Sequence, residues 1–295
     1  MDALFLFEAW DKATLAGIQA GINPAMTSFM LAATLLGNPV FWILLATAIY
    51  WRGQENKSFF LMNLVVFSSA VSGFLKSAFA RTRPLGTEFK ILGKDGYGLL
   101  SFPSGHSTMV AAAYSYYERK FKGIWKILFA LLALLVAYSR LYLGMHFPTD
   151  VIAGLAIGLA IGKLNILSRA KLFHKNFVPS KFEDEIALVG IVLAAIIAII
   201  FLKELPLTGI FIGFYAGFFL FKEMKLDQSI LLKKMLAIKY AIGFTLLVPV
   251  FVILEDIVCI GMAFTETTKF VIYVFAGSWI SWIWPVAWEK IFKKM

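Results

Sequence analysis

KSAFARTRP (76–84), SFPSGHS (101–107) and SRLYLGMHFPTD (139–150) are three polar stretches set at the ends of long apolar runs. Bases, two histidines and one aspartate gather in them, where a membrane protein can hold charge beside water. The rest of the 295-residue chain is strongly apolar: 60% hydrophobic, 16% charged, with a mean hydropathy of +0.79. That composition lies outside the soluble globular range. Uninterrupted apolar runs recur about every 20–30 residues, near the length that crosses the hydrocarbon core. The expected fold is an all-α polytopic membrane bundle.

Working outward, residues 1–22 lack the basic start and clean apolar centre of a signal peptide. Leu4, Phe5, Phe7 and Trp10 set against Glu8, Asp11 and Lys12 suggest an amphipathic helix at the interface. Asn23 and Pro24 suit the cap and first position of the next helix. Spans are expected at 25–51, 59–79, 104–118, 124–140 and 149–167, giving a core membrane domain over 23–167. The run at 104–118 is short for a full crossing, so its start is expected inside the membrane boundary or surrounded by protein. Gly93, Gly96 and Gly98 make the 81–103 loop pliable. After a connecting loop at 168–185, further spans are expected at 186–202, 206–221, 236–260 and 270–288. Pro249, Glu255 and Asp256 interrupt the pattern there, through a bend, a polar pocket or a re-entrant segment. The count is nine, with eight the next choice.

Charge placement tests that topology. Loops 52–58, 118–126, 222–239 and 289–294 carry net charges of +1, +3, +3 and +2. All fall on one side if nine spans start with the N-terminus outside, as positive-inside bias requires. The loop 168–185 would be cytoplasmic, and the three polar stretches would face the extracytoplasmic side. The net charge of +10 is thereby explained without nucleic acid. The single cysteine, Cys259, excludes an intramolecular disulfide framework and a cysteine-based metal cluster.

The polar stretches carry the chemistry. Lys76, Arg81 and Arg83 at a helix end read either as snorkelling bases or as the holders of an anion, and a dianionic phosphate suits them. Pro103, Ser104 and Gly105 open a helix whose first N–H groups can face that anion. His106, in the first turn, is either a capping histidine or a proton donor to a departing alkoxide. His146 and Asp150 lie four apart across a helix start at Pro148, so the carboxylate can hold one imidazole nitrogen and direct the other outward. A solvent-facing salt bridge would also explain that pair alone. Ser139 and Arg140 can add donors. Zinc is the competing ligand for His106, His146 and Asp150, but their company is cationic and no HExxH or cysteine pair is present.

Together the three stretches resemble the type 2 phosphatidic acid phosphatase superfamily, which includes membrane lipid phosphatases, glucose-6-phosphatase and vanadium haloperoxidases. Its signature is Lys-x6-Arg-Pro, Pro-Ser-Gly-His and Ser-Arg-x5-His-x3-Asp. Lys76 to Arg83-Pro84, Pro103 to His106, and Ser139-Arg140 to His146 and Asp150 match it in order, without departure. The resemblance covers roughly residues 1–167. It implies that Lys76, Arg83 and Arg140 bind phosphoryl oxygens with Ser104 and the Gly105 amide, while Ser139 supports the pocket. It further implies that His146 attacks phosphorus, Asp150 orients it and His106 protonates the leaving oxygen, with no metal or other cofactor.

The expected activity is therefore hydrolysis of a lipid phosphate or diphosphate, with a polyprenyl diphosphate, phosphatidylglycerol phosphate, phosphatidic acid, diacylglycerol pyrophosphate or lipid A phosphate as substrate. A lipid-phosphate transporter with a weak phosphatase core and a phosphatase for a small soluble ester are the alternatives. Residues 186–295 carry no second catalytic motif; packing around the core, homodimerisation, a wall for a lipid tail, or transport or scrambling are the roles open to them.

Overall fold

The computed structural model describes residues 7–84, 86–93, 98–172, 205–224, 232–259 and 266–292. The span expected at 186–202 and nearly all of the loop at 168–185 lie outside the described residues, as does Gly96. Among the described residues the structure is all-α apart from one isolated bridge, between Thr82 and Leu100. Contacts divide the chain into two units, Met1–Ile43 with Asn63–His174, and Leu44–Met62 with Lys175–Met295.

The first unit begins with α1 (Glu8–Gln19), which buries Asp11 and Leu15 and leaves Phe7 and Trp10 about half exposed. Leu15 packs with Phe89 and Phe147, so one face of this helix belongs to the protein interior. Asn23 caps α2 (Pro24–Leu35) as its sequence predicts, accepting from the Met26 N–H at 2.9 Å with Pro24 in the first turn. Gly37 then breaks the chain before α3 (Pro39–Trp51): a Cβ on it would stand 2.7 Å from Val136 Cγ1 and 2.8 Å from His106 Cβ.

The centre of this unit is a pair of helices, α5 (Gly105–Tyr117) and α7 (Pro148–Leu172), joined through α6 (Ile124–Tyr142). From His106 to Ala113 every residue of α5 is buried. Gly154, Gly158 and Gly162 form a four-residue repeat along α7 that lets its backbone touch α5, as small residues do between membrane helices. A Cβ at Gly154 would lie 2.7 Å from the Ser104 carbonyl, and one at Gly162 would lie 2.5 Å from that of Ala112. Ser115 Oγ donates across the same interface to the Leu159 carbonyl at 2.9 Å. α4 (Glu55–Phe79), which brings Lys76 in its last turn, enters this unit from Asn63 onward.

In the second unit, α8 (Leu205–Glu223) packs its glycines Gly209, Gly213 and Gly217 against α10 (Glu266–Ser278) and the π-helical turn Trp279–Ile283 that follows. Trp51 Nε1 donates to the Ile280 carbonyl in that turn at 2.8 Å. α9 (Leu232–Cys259) runs unbroken through Pro249, Glu255 and Asp256, and α11 (Trp284–Phe292) completes the described chain.

The protein is an integral membrane protein, but the expectation of eight or nine crossings is overturned. Among the described residues four helical stretches are long and apolar enough to cross: Glu55–Phe79, Ile124–Tyr142, Pro148–Leu167 and Phe270–Ile291. They become five if Pro24–Leu35 and Pro39–Trp51, bent by 50° at their break, count as one. The reason is that apolar composition does not distinguish lipid-facing from protein-buried helices. α5 has 13 residues, about 20 Å at 1.5 Å per residue, and is apolar because it is enclosed by protein. Near 206–221 and 236–260 the apolar helical stretches are the shorter Thr208–Lys222 and Met235–Val248.

Candidate active site

The site lies where α4 and α6 end and α5 and α7 begin. The end of α6 is a Schellman turn: Met145 N–H donates to the Arg140 carbonyl at 3.0 Å and Gly144 N–H to that of Leu141 at 2.9 Å. Gly144 supplies the left-handed residue, at φ 70°, that this turn requires. The turn carries the chain from buried Arg140 to buried His146 in one reversal. Arg140 is held from behind by α2, its Nη1 donating to Thr34 Oγ1 at 2.6 Å.

Asp150 sits in the first turn of α7, and its Oδ2 accepts from the Phe147 N–H at 2.8 Å, the return half of a capping box. The same oxygen lies 3.6 Å from His146 Nδ1, an ion-pair distance rather than a formed hydrogen bond. The carboxylate is therefore on the Nδ1 side of the ring, with Nε2 as the other nitrogen. Asp150 also anchors the second motif, since its carbonyl accepts from the Ser104 N–H at 3.0 Å. Ser104 caps α5 in turn: its Oγ accepts from the Ser107 hydroxyl at 3.0 Å and, more weakly, from the Ser107 N–H at 3.4 Å. Gly105 opens the helix, where a Cβ would come 3.4 Å from Ser72 Oγ, and His106 follows it in the first turn, largely buried.

The first motif is tied to the second through backbone. Arg83 N–H donates to the Leu99 carbonyl at 3.0 Å, and Ser101 N–H to that of Arg81 at 2.7 Å. Lys76 Nζ reaches the Leu100 and Ser101 carbonyls at 2.8 and 3.1 Å. Of the residues singled out in the sequence, His146, Asp150 and Ser104 are brought together directly. Ser139 is placed differently: buried, its hydroxyl donates to the Val136 carbonyl in its own helix at 2.7 Å. Among the described residues no three His, Cys, Asp or Glu side chains cluster as a metal site.

Two participants stand in roles the sequence did not suggest, since Arg81 groups there with the anion-holding bases and Asp11 with the polar face of its helix. Arg81 Nη1 donates to Asp150 Oδ1 at 2.8 Å, and its Nη2 donates to Asp11 Oδ2 at 2.6 Å. Asp11 lay hidden in the polar set of an amphipathic helix. The available signal was its register, four residues from both Phe7 and Leu15, which puts a carboxylate on the stripe that Leu15 buries. Nearby, Lys12 bridges Glu8 at 3.2 Å and Glu88 at 3.3 Å, and these bonds, Glu8's first, raise its pKa.

A buried histidine backed by a carboxylate, beside a capped helix N-terminus and three bases, is suited to nucleophilic transfer of an anionic group. A sequence profile of the PAP2 superfamily matches residues 57–173, which hold all three motifs. Lipid A 4′-phosphatase of Porphyromonas gingivalis is 30% identical over 169 residues, covering 50% of this chain and 67% of that protein. The chain belongs to the PAP2 superfamily. Lipid A 1-phosphatase of Rhizobium etli is 36% identical over 120 residues, 38% of this chain and 49% of that protein. This chain thus spans half to two thirds of those two relatives. The crystal structure of a transmembrane PAP2-type phosphatidylglycerolphosphate phosphatase from Bacillus subtilis matches with a TM-score of 0.50 at 28% identity, over 58% of this chain and 89% of that one.

Proposed function

We propose that the protein hydrolyses a phosphate or diphosphate group on a membrane lipid, through a phosphohistidine at His146. The observation that carries this reading is the convergence of the Ser104 and His146 motifs on Asp150, whose carbonyl holds one and whose carboxylate backs the other. The three relatives described above act on lipid phosphates, which supports the substrate class.

His146 Nε2 attacks phosphorus, forming a P–N bond as the P–O bond to the lipid breaks. Asp150 stabilises the imidazolium this creates. The leaving oxygen takes a proton from His106. His106, now neutral, removes a proton from water, whose oxygen attacks the phosphohistidine and returns the electron pair to His146 as inorganic phosphate leaves. Lys76, Arg83 and Arg140 hold the equatorial oxygens together with the Gly105 amide and Ser104. Ser139 supports the pocket from within α6, through its bond to the Val136 carbonyl.

The lipid enters from the face opposite the α5–α6 turn. That turn, Glu118 to Lys126, carries a net charge of +3, and Lys163, Arg169 and Lys171 lie in the half of α7 away from Asp150. The turn, and Arg169 and Lys171 in the last turn of α7, lie at helix ends remote from the site, and positive-inside bias thereby supports an extracytoplasmic site whatever the total number of spans. Phosphate release by purified protein, screened across lipid monophosphates and diphosphates beside a sugar phosphate, tests the reading. Turnover on lipids that vanishes in a folded His146→Ala variant is expected; full activity in that variant overturns the nucleophile.

A further inference from the structure

We propose that Asp11 and Arg81 are positioning residues for the His146–Asp150 pair, making the amino-terminal helix a working part of the phosphoryl-transfer site. The inference rests on the hydrolase reading above and extends it to two residues outside the three motifs.

Asp11 is fully buried on α1. Its Oδ1 accepts from the Thr149 N–H at 2.9 Å, one of the first-turn donors of α7 that has no carbonyl within its own helix. Its Oδ2 accepts from the Thr149 hydroxyl at 2.6 Å and from Arg81 Nη2 at 2.6 Å. Arg81 Nη1 completes the circuit to Thr149 Oγ1 at 2.6 Å and Asp150 Oδ1 at 2.8 Å, while its guanidinium carbon sits 4.4 Å over the Phe147 ring. α1 thus caps α7 from outside the helix, at the turn that carries Asp150.

Two consequences follow from elementary chemistry. A carboxylate held through one oxygen turns easily about its last torsion, which is broad and two-fold. Phe147 N–H holds Oδ2, and Arg81 holds Oδ1, so the carboxylate plane is fixed and Oδ2 stays on the His146 side. The second consequence is charge. Arg81 alone would cancel the charge of Asp150; shared between two carboxylates, it leaves the group a net negative charge behind the ring that becomes positive on attack. Asp11 supplies that excess.

Mere anchorage of α1 is separable from this role, because the helix has a second tether. Gln19 Nε2 donates to the Lys90 carbonyl at 2.8 Å and its Oε1 accepts the Lys90 N–H at 3.0 Å, with no link to Arg81. The test compares full-length Asp11→Asn, Arg81→Gln and Gln19→Ala in detergent, by phosphate release from lipid phosphates, orthovanadate affinity by calorimetry, and thermal unfolding. Asp11→Asn and Arg81→Gln are expected to lose about 10–100-fold in kcat with KM within about threefold, and at least tenfold in vanadate affinity. Gln19→Ala should lose thermal stability while keeping kcat within about threefold. Wild-type kcat and vanadate affinity in Asp11→Asn overturn the proposal whatever its stability, as does an equal loss of kcat in Gln19→Ala. Should Asp11→Asn fail to fold, Thr149→Val removes the hydroxyl bridging the two residues, and an unchanged kcat there is equally fatal. A wild-type protein that releases no phosphate from any lipid sinks the hydrolase reading instead. Vanadate then still decides: weaker binding in Asp11→Asn sustains the positioning role, and equal binding, or none by the wild type, ends it.

Discussion

Replacing Gly158 by alanine adds one methyl group at the closest approach of α5 and α7. That methyl would run into the Thr108 carbonyl oxygen and stand 2.8 Å from Ala111 Cβ and 2.9 Å from Ala112 N. None of these atoms is the end of a flexible side chain, so the helices themselves must part, by about 0.7 Å or more to restore carbon–carbon contact. Overpacking of this kind costs about 1–3 kcal/mol, while alanine in place of glycine returns about 1 kcal/mol of helix propensity. The net loss of stability is therefore small, about 0–2 kcal/mol. Activity should suffer more, because α5 carries Ser104 and His106 while α7 carries Asp150, and a 1 Å misplacement of reacting groups costs on the order of 100-fold. Gly158→Ala should then lower kcat for phosphate release by about 10–100-fold in a protein that still unfolds cooperatively. Gly17→Ala is the control: its Cβ meets nothing within 4 Å, so it should stabilise α1 slightly and leave kcat alone. Wild-type turnover in Gly158→Ala would refute the claim that this interface sets the geometry of the site.

Thr34→Val removes the acceptor of the buried Arg140 Nη1 and should cost about 1–3 kcal/mol in thermal or denaturant unfolding, with a raised KM as Arg140 loses its anchor. Asp150→Asn should abolish turnover in a steady-state assay, since the amide keeps the shape but not the charge behind His146, and it also disturbs the Arg81 contact. Trp51→Phe leaves the Ile280 carbonyl without its indole donor and should lower unfolding stability by about 1–3 kcal/mol.

The site was more legible in the sequence than the membrane topology, and the difference has a physical origin. His146 and Asp150, four residues apart across Pro148, meet readily if a helix starts between them, so the pair points to its own geometry. Ser104 and Gly105 likewise announce a helix start. Hydropathy has no comparable local constraint. GHSTMVAAAYSYY reads as membrane material, yet it forms a short helix enclosed by protein, and PAMTSFMLAATLLGNPVFWILLATAIYW reads as one span but bends at Gly37. Small residues fit both lipid contact and close helix contact, and only the partner distinguishes them. Asp11 and Thr34 escaped for a third reason: each acts on a residue more than 100 positions away, and no local pattern encodes such a pairing.

The spacing inside the third motif is itself a consequence of backbone geometry, which a last substitution exposes. Arg140 and His146 are six residues apart because a Schellman turn lies between them, with Arg140 as the carbonyl that accepts from Met145 N–H. Gly144→Ala attacks that turn twice. The left-handed backbone costs a residue with a Cβ about 1–2 kcal/mol, and the added methyl meets the Lys90 carbonyl, with Gln19 Nε2 at 2.8 Å. Gly98→Ala separates the two effects, because Gly98 is also left-handed, at φ 71°, but a Cβ there meets nothing within 4 Å. If the turn serves only stability, the two variants should differ in unfolding alone and share near wild-type turnover. If it sets the distance from Arg140 to His146, Gly144→Ala should lose turnover by about 10-fold or more while Gly98→Ala keeps it, and equal turnover in both would remove the turn from the catalytic account.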